Sequence, residues 1–212
     1  MSLALPNPYR IRIKTETDST NADVLRALSA GEADGLLVWA ERQTQGRGRQ
    51  GRSWHGLPGA SLTFSVLIRP NPDEEAFSGR FTALGALAVI EALKELVGVK
   101  GALKWPNDVL LNGKKTAGVL AEAAWQGDQL AGLALGIGVN VSAGSVPEGV
   151  PLNFPATNIE KETGIRLEPD TLLSTILQAI TALREILPTP EFFRVWEDSL
   201  AFKGEWALLR NE

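Results

Sequence analysis

The chain has 212 residues, with 25 acidic against 21 basic side chains and a net charge of −4, so it fits one domain of ordinary to large size and is not the basic module that general nucleic-acid binding favours. Cysteine is absent, which excludes disulfides, thiolate metal ligands and a cysteine nucleophile. No run approaches the ~18 consecutive apolar residues of a membrane span, and Met1 to Pro8 carries no secretory-signal pattern, so a cytoplasmic protein with no membrane partner is expected.

In chain order, Tyr9 to Thr15 alternates as a strand does. Asp18-Ser19-Thr20-Asn21 offers N-caps for a helix over Asn21–Leu28, which Gly31 ends. Gly35 to Ala40 reads as a buried strand, Arg42 to Gly59 as a polar, Gly-rich loop, and Ala60 to Arg69 as a strand closed by Pro70 and Pro72. Phe77 to Val97 has apolar residues at spacings of three and four and predicts a long helix packed on a sheet. Ala102–Trp105 and Val109–Leu111 read as short strands around a Pro-Asn-Asp turn. Asn112-Gly113 is a hairpin turn signal. Thr116–Trp125 and Leu130–Val141 form two further strands, Ser142–Pro155 a Pro/Gly-rich loop, and Pro169–Leu187 and Glu191–Leu200 two helices. Runs of adjacent strands between few helices indicate an α+β fold with a mixed, largely antiparallel sheet flanked by helices.

Four segments carry chemistry. In Gly46-Arg47-Gly48-Arg49-Gln50-Gly51-Arg52-Ser53-Trp54, glycines allow sharp turns that present backbone N–H groups, and three arginines bring forked donors suited to phosphate and carboxylate. No Asp or Glu occurs between Arg42 and Pro72 to neutralise them. The loop is expected to be mobile when empty and to order around an anion. Gly46-x-Gly48-x-x-Gly51 also fits the dinucleotide fingerprint, but no helix follows it, so that reading is rejected. The second segment is Lys104-Trp105-Pro106-Asn107-Asp108 with Lys115 to Glu122. A hairpin would bring Lys104 and Lys115 together beside a carboxylate, an arrangement suited to a polyphosphate and its Mg²⁺. The third, Gly136-Ile137-Gly138-Val139-Asn140, puts two glycines in a strand, where a ligand or another backbone can approach closely. The fourth is Ser19-Thr20-Asn21, polar residues that serve either as helix caps or as hydrogen-bonding partners of a polar head group. His55, the single histidine, is not needed by a mechanism built on lysine and arginine electrostatics.

In this order and spacing the four segments resemble the catalytic domain of biotin protein ligases, over roughly residues 10 to 200. The resemblance implies a class II synthetase, biotin/lipoate ligase-like fold, and an activity that uses ATP to make biotinyl-5′-AMP and passes biotin to a lysine of a biotin carboxyl carrier protein. It implies that Ser19, Thr20, Asn21, Gln43, Arg47, Gly48, Arg49, Trp54, Lys115 and Gly118 meet biotin. Arg52, Lys104, Asn107, Asp108 and Asn140 would meet the nucleotide, with Asp108 also facing Mg²⁺. Arg49 and Lys115 would carry the transition-state charge, and Asp108 is the candidate base for the second step. Residues 1–200 are expected to form the catalytic domain and 201–212 the start of a small β domain, with a strand at 205–210. The family's N-terminal helix-turn-helix is expected to be missing, hence no role on DNA; a homodimer is carried over from the resemblance. Two other readings are a lipoate or octanoate ligase, whose glycine-arginine loop differs, and a non-catalytic binder of biotin or single-stranded nucleic acid through Arg47, Arg49, Arg52 and Trp54.

Overall fold

A computed structural model describes residues 5–147, 149 and 152–205. Seven strands form one sheet: β1 (Arg10–Thr17), β2 (Leu36–Gln43), β3 (Ser61–Ile68), β4 (Ala102–Lys104), β5 (Asp108–Leu111), β6 (Lys114–Gln126) and β7 (Gln129–Asn140), in spatial order β1-β2-β3-β7-β6-β5-β4. Only β1 and β2 pair in parallel, joined by helix α1 (Thr20–Ser29); every other pairing is antiparallel. The mixed, largely antiparallel α+β sheet is the expected architecture. Asn112 and Gly113 both take positive φ, 50° and 72°, as a two-residue hairpin turn between β5 and β6 requires.

The period-two pattern decides which face is core. Leu62, Phe64, Val66 and Ile68 of β3 and Leu133, Leu135, Ile137 and Val139 of β7 point to one side, under helices α3 (Phe81–Val97) and α5 (Pro169–Ile186). Each such side chain contributes about 1.5–3 kcal/mol by leaving water. On the other face, α1 covers only one end of the sheet, through Val24, Ala27 and Leu28 against Leu36, Val38, Leu67 and Ala134. The rest of that face carries Thr63, Ser65, Gly118, Gly136 and Gly138; the first turn of α1 meets Ser65 and Gly136 through Thr20 and Asn21, while Gly118 and Gly138 lie under a loop residue, Trp54. Small and polar residues in the middle of a sheet, with the core on the far side, make a floor on which something else can lie.

Three elements differ from the expectation. The long helix begins at Phe81 rather than Phe77; Ser78–Arg80 is a 3₁₀ turn, and the Arg80 guanidinium caps the Leu187 and Thr189 carbonyls while lying over the Phe77 ring. Helix α2 (Pro72–Glu75) falls where a loop was expected, begun by a capping box between Asn71 and Glu74. Helix α4 (Ile159–Thr163) is also additional, capped by Asn158. Helix α6 (Pro190–Asp198) closes the described part. The strand expected at 205–210 lies almost wholly outside the described residues.

Away from the glycine floor, Arg184 of α5 gathers α2 and the turn before β2. Its Nε and Nη2 donate to the two oxygens of Glu74 at 2.6 and 2.9 Å, Nη1 donates to Asp34 at 2.8 Å, and Nη2 also reaches the Arg69 carbonyl. Burial opposes the charge on Arg184, but the two carboxylates outweigh it and hold its pKa above the usual value.

Candidate active site

The arginine loop folds over the glycine floor. Gly48 N donates to the Arg52 carbonyl and Trp54 N to the Gly46 carbonyl, and the turn between them uses positive φ at Gln50 and Gly51. Gly46 has no room for a side chain, because a Cβ there would collide with the Trp54 carbonyl. The loop thus brings Trp54 down onto the sheet. A Cβ at Gly138 would strike the indole, and one at Gly118 would lie 3.3 Å from it. Gly118 and Gly138 face each other across β6 and β7, so the two bare positions form a single shelf that the ring occupies. The indole Nε1 is buried there without a hydrogen-bond partner among the described residues. The cavity beside it, bounded by Gln43, Trp54, Gly56 and Ser61, is about 10 Å³, hardly room for one water.

The polar residues sit around this shelf. Thr20 N and Oγ1 contact Gln43 Oε1 at 2.8 and 3.1 Å, and Ser19 Oγ lies 3.4 Å from Arg47 Nε. Ser19, Thr20 and Asn21 are all buried at the start of α1. Arg47 is paired with Glu122 at 2.9 Å, whereas Arg49 and Arg52 are exposed and no described carboxylate holds them. Two forked cations are therefore free to meet an anion above the shelf.

Strand β5, paired with β4 on one side and β6 on the other, brings the two lysines together as the sequence suggested. Lys115 Nζ lies 2.7 Å from Asp108 Oδ1 and Lys104 Nζ 3.6 Å from Asp108 Oδ2. Lys115 also stands 5.8 Å from the Trp54 ring centre, and Lys104 lies 5.0 Å from that of Phe154. The lysines thus connect the shelf to the region of residues 154–157. Both Asp108 oxygens face ammonium groups, and among the described residues no three His, Asp or Glu side chains gather as a metal cage. A Mg²⁺ ion at Asp108 would have one protein carboxylate and would need phosphate oxygens for most of its remaining ligands, which suits a metal arriving with a nucleotide.

Three expected contact residues have duties inside the protein. Asn21 spends its amide on the Leu120 carbonyl, Glu122 and Ser65. Asn107 donates to the Val119 carbonyl, tying the Pro-Asn-Asp turn to β6. Asn140 donates to the Thr157 carbonyl. Asn107 and Asn140 each keep a side-chain oxygen with which to meet a ligand. The sequence reading passed over Ser65, whose one signal was a serine amid the apolar β3 run, and named Glu122 only as the end of the Lys115–Glu122 segment, without a role.

Segment 155–158 braces Lys115 from its far side. Lys115 N donates to the Pro155 carbonyl and Thr157 N to the Lys115 carbonyl. Glu162 of α4 clamps this segment, accepting from Thr157 Oγ1 at 2.6 Å, Lys114 Nζ at 2.9 Å and Asn112 Nδ2 at 2.9 Å. Those three bonds, with Thr157 foremost, pull the Glu162 carboxyl from 4.5 down to about 2. A carboxyl with a depressed folded-state pKa stabilises the fold above its unfolded value and loses that contribution as pH falls through the folded one. Glu162→Gln is therefore expected to lower the thermal midpoint at pH 6–7 and to match the wild type near pH 2. Parallel curves over that whole range would contradict the clamp.

The sequence of residues 12–140 matches the model of the biotin/lipoate A/B protein ligase family. The chain belongs to this family. Among curated ligases of the family, it is 36% identical over 204 residues to a biotin--[acetyl-CoA-carboxylase] ligase of Paracoccus denitrificans, covering 92% of this chain and 82% of that protein. It is 36% identical over 146 residues to the bifunctional ligase/repressor BirA of Bacillus subtilis, covering 68% of this chain but only 44% of that relative's length. Among solved structures, a biotin protein ligase from Aquifex aeolicus in complex with biotin and ATP superimposes with a TM-score of 0.75 at 32% identity, over 91% of this chain and 78% of that one. A point mutant of the Aquifex ligase in complex with biotin gives a TM-score of 0.76 at 30% identity, over 96% and 81%. The family's fold is thus the fold seen here. No helix among the described residues is long and apolar enough to cross a membrane.

Proposed function

We propose that the chain activates biotin with MgATP to give biotinyl-5′-AMP and then transfers the biotinyl group to a lysine of a biotin carboxyl carrier protein. The observation that carries this reading is the placement of Lys115. It stands between the glycine shelf, where an acid's body can lie, and Lys104 and Asp108, where a triphosphate can lie. In the first step a biotin carboxylate oxygen attacks the α-phosphorus, and the bond from that phosphorus to the bridging oxygen of the leaving pyrophosphate breaks. Two anions must meet, so cations have to be in place beforehand; Lys115 and the unpaired Arg49 are assigned that role. Asp108 would be the protein contact of a Mg²⁺ ion arriving with the nucleotide, which would neutralise phosphate charge, and Arg52, Lys104, Asn107 and Asn140 are assigned to the nucleotide. In the second step the neutral carrier amine attacks the acyl carbon and AMP leaves, with Asp108 assigned to take the amine proton.

The head group of biotin is assigned to Ser19, Thr20 and Gln43, with Asn21 behind them, and its body to Gly48, Trp54, Gly118 and the arms of Arg47 and Arg49. The same reading places the reaction in the cytoplasm, with a homodimer as the working form and neither DNA nor membrane as partner. Incubation with biotin, Mg²⁺ and α-labelled ATP, without carrier, is expected to yield labelled biotinyl-adenylate and pyrophosphate, and lipoate is expected to yield none. Failure of biotin either to bind or to react overturns the reading.

A further inference from the structure

Glu122 lies on β6, the strand that also carries Lys115, and its two carboxylate oxygens serve two different elements. Oε1 accepts from Arg47 Nη1 of the arginine loop at 2.9 Å, and Oε2 accepts from Asn21 Nδ2 at the start of α1 at 2.7 Å. A glutamine in its place offers one acceptor and one donor, so it can serve only one of the two. The charge on this residue therefore does something its shape alone does not.

The consequences run inward from Asn21. Its Nδ2 has two protons, one given to Glu122 and the other to the Leu120 carbonyl at 3.1 Å; both partners only accept, so together they hold the amide with Oδ1 towards Ser65. Ser65 Oγ stands 2.6 Å from that oxygen and has to donate to it. A hydroxyl has one proton, so the 2.7 Å contact between Ser65 Oγ and Thr20 Oγ1 takes its proton from Thr20. That proton could otherwise go to Gln43 Oε1, 3.1 Å from Thr20 Oγ1, but the Ser65 contact is shorter and Gln43 Oε1 keeps the Thr20 backbone N–H at 2.8 Å. Thr20 Oγ1 is left as an acceptor with no proton to offer an incoming group. Every bond in this chain points towards Glu122, and Ser65 is fully buried within it.

We propose that Glu122 is a positioning residue for the head group of the acid: through Asn21 and Ser65 it fixes Thr20 as a hydrogen-bond acceptor, which selects a head group that donates N–H, and through Arg47 it holds the arginine loop against the sheet. The inference rests on the biotin reading, because a ureido ring supplies such N–H donors and a dithiolane ring does not. It also separates two effects of one residue, since Ser65 lies on the path to Thr20 but touches nothing in the loop.

The test compares the wild type, Glu122→Gln and Ser65→Ala, each checked for folding by its thermal midpoint. Calorimetric titration gives the affinity for biotin and for biotin methylated at either ureido nitrogen. Trypsin cleavage at Arg47, Arg49 and Arg52 reports release of the loop. In the wild type, methylation of one of the two nitrogens is expected to weaken binding at least about tenfold, a penalty that falls below about threefold in both variants. Loop cleavage is expected to accelerate in Glu122→Gln and to stay at the wild-type rate in Ser65→Ala. A methylation penalty unchanged in both variants overturns the proposal and leaves the biotin reading standing. A wild-type protein that does not bind biotin at all overturns both.

Discussion

Lys115→Ala is expected to slow formation of the adenylate by about 100- to 1,000-fold, the size of effect seen when one preorganised electrostatic contact to a developing charge is removed. The geometry adds to the loss. Asp108 is 8% exposed and Lys115 is its nearer partner, at 2.7 Å against 3.6 Å for Lys104. Without Lys115 a poorly compensated carboxylate would sit where the carboxylate and the α-phosphate have to meet. The variant should therefore lose rate at saturating biotin and ATP, and not only affinity. Lys115→Arg retains the charge but spreads it over a planar fork that cannot occupy the same point, and is expected to recover only part of the rate. Single-turnover measurement of labelled adenylate decides the matter; a wild-type rate in the alanine variant would remove Lys115 from the chemistry. Thermal midpoints taken alongside separate this from a folding defect.

Arg184→Ala carries the largest expected effect on stability, about 3–5 kcal/mol, because it leaves a buried charge without its partner. Glu74 is only 3% exposed and both its oxygens are held by Arg184. The same guanidinium holds Asp34 and the Arg69 carbonyl, so α5, α2 and the turn before β2 lose a common tie. Urea unfolding gives the magnitude. Replacing Glu74 as well, in the double variant Arg184→Met/Glu74→Leu, is expected to recover most of the loss, since an apolar pair of similar bulk no longer buries an unpaired charge. A single variant within about 1 kcal/mol of the wild type would show that water reaches Glu74 freely.

The sequence made the framework legible because its signals are local. The alternation of β3 and β7, the three-and-four spacing of α3 and α5 and the Asn112-Gly113 turn each lie within one window. The two lysines were foreseen because they flank one short strand, β5, and Trp54 because it closes the glycine-arginine run. The short helices α2 and α4 were missed, since four or five residues hold little more than one turn, too little for a repeating apolar pattern, and depend on a cap. What Asn21, Asn107 and Asn140 spend their amides on was not legible either. Those partners are carbonyls and carboxylates brought near by sheet register, such as Glu122, which meets Asn21 from 101 residues away. Ser65 escaped notice and Glu122 was given no role for the same reason: their significance lies in which strand faces which.

The indole resting on Gly118 and Gly138 turns the empty site into one that is already occupied. A molecule that uses this shelf binds in competition with a side chain tethered a few ångströms away, so its measured affinity is the difference between two occupancies. Such an internal competitor imposes a threshold. Weakly held acids fail to evict the ring and never reach the lysines, while a cognate acid recovers the deficit through its head group and through whatever partner the indole N–H then gains. Trimming Trp54 would on this account remove the threshold, broadening the range of acids admitted and tightening the hold on each.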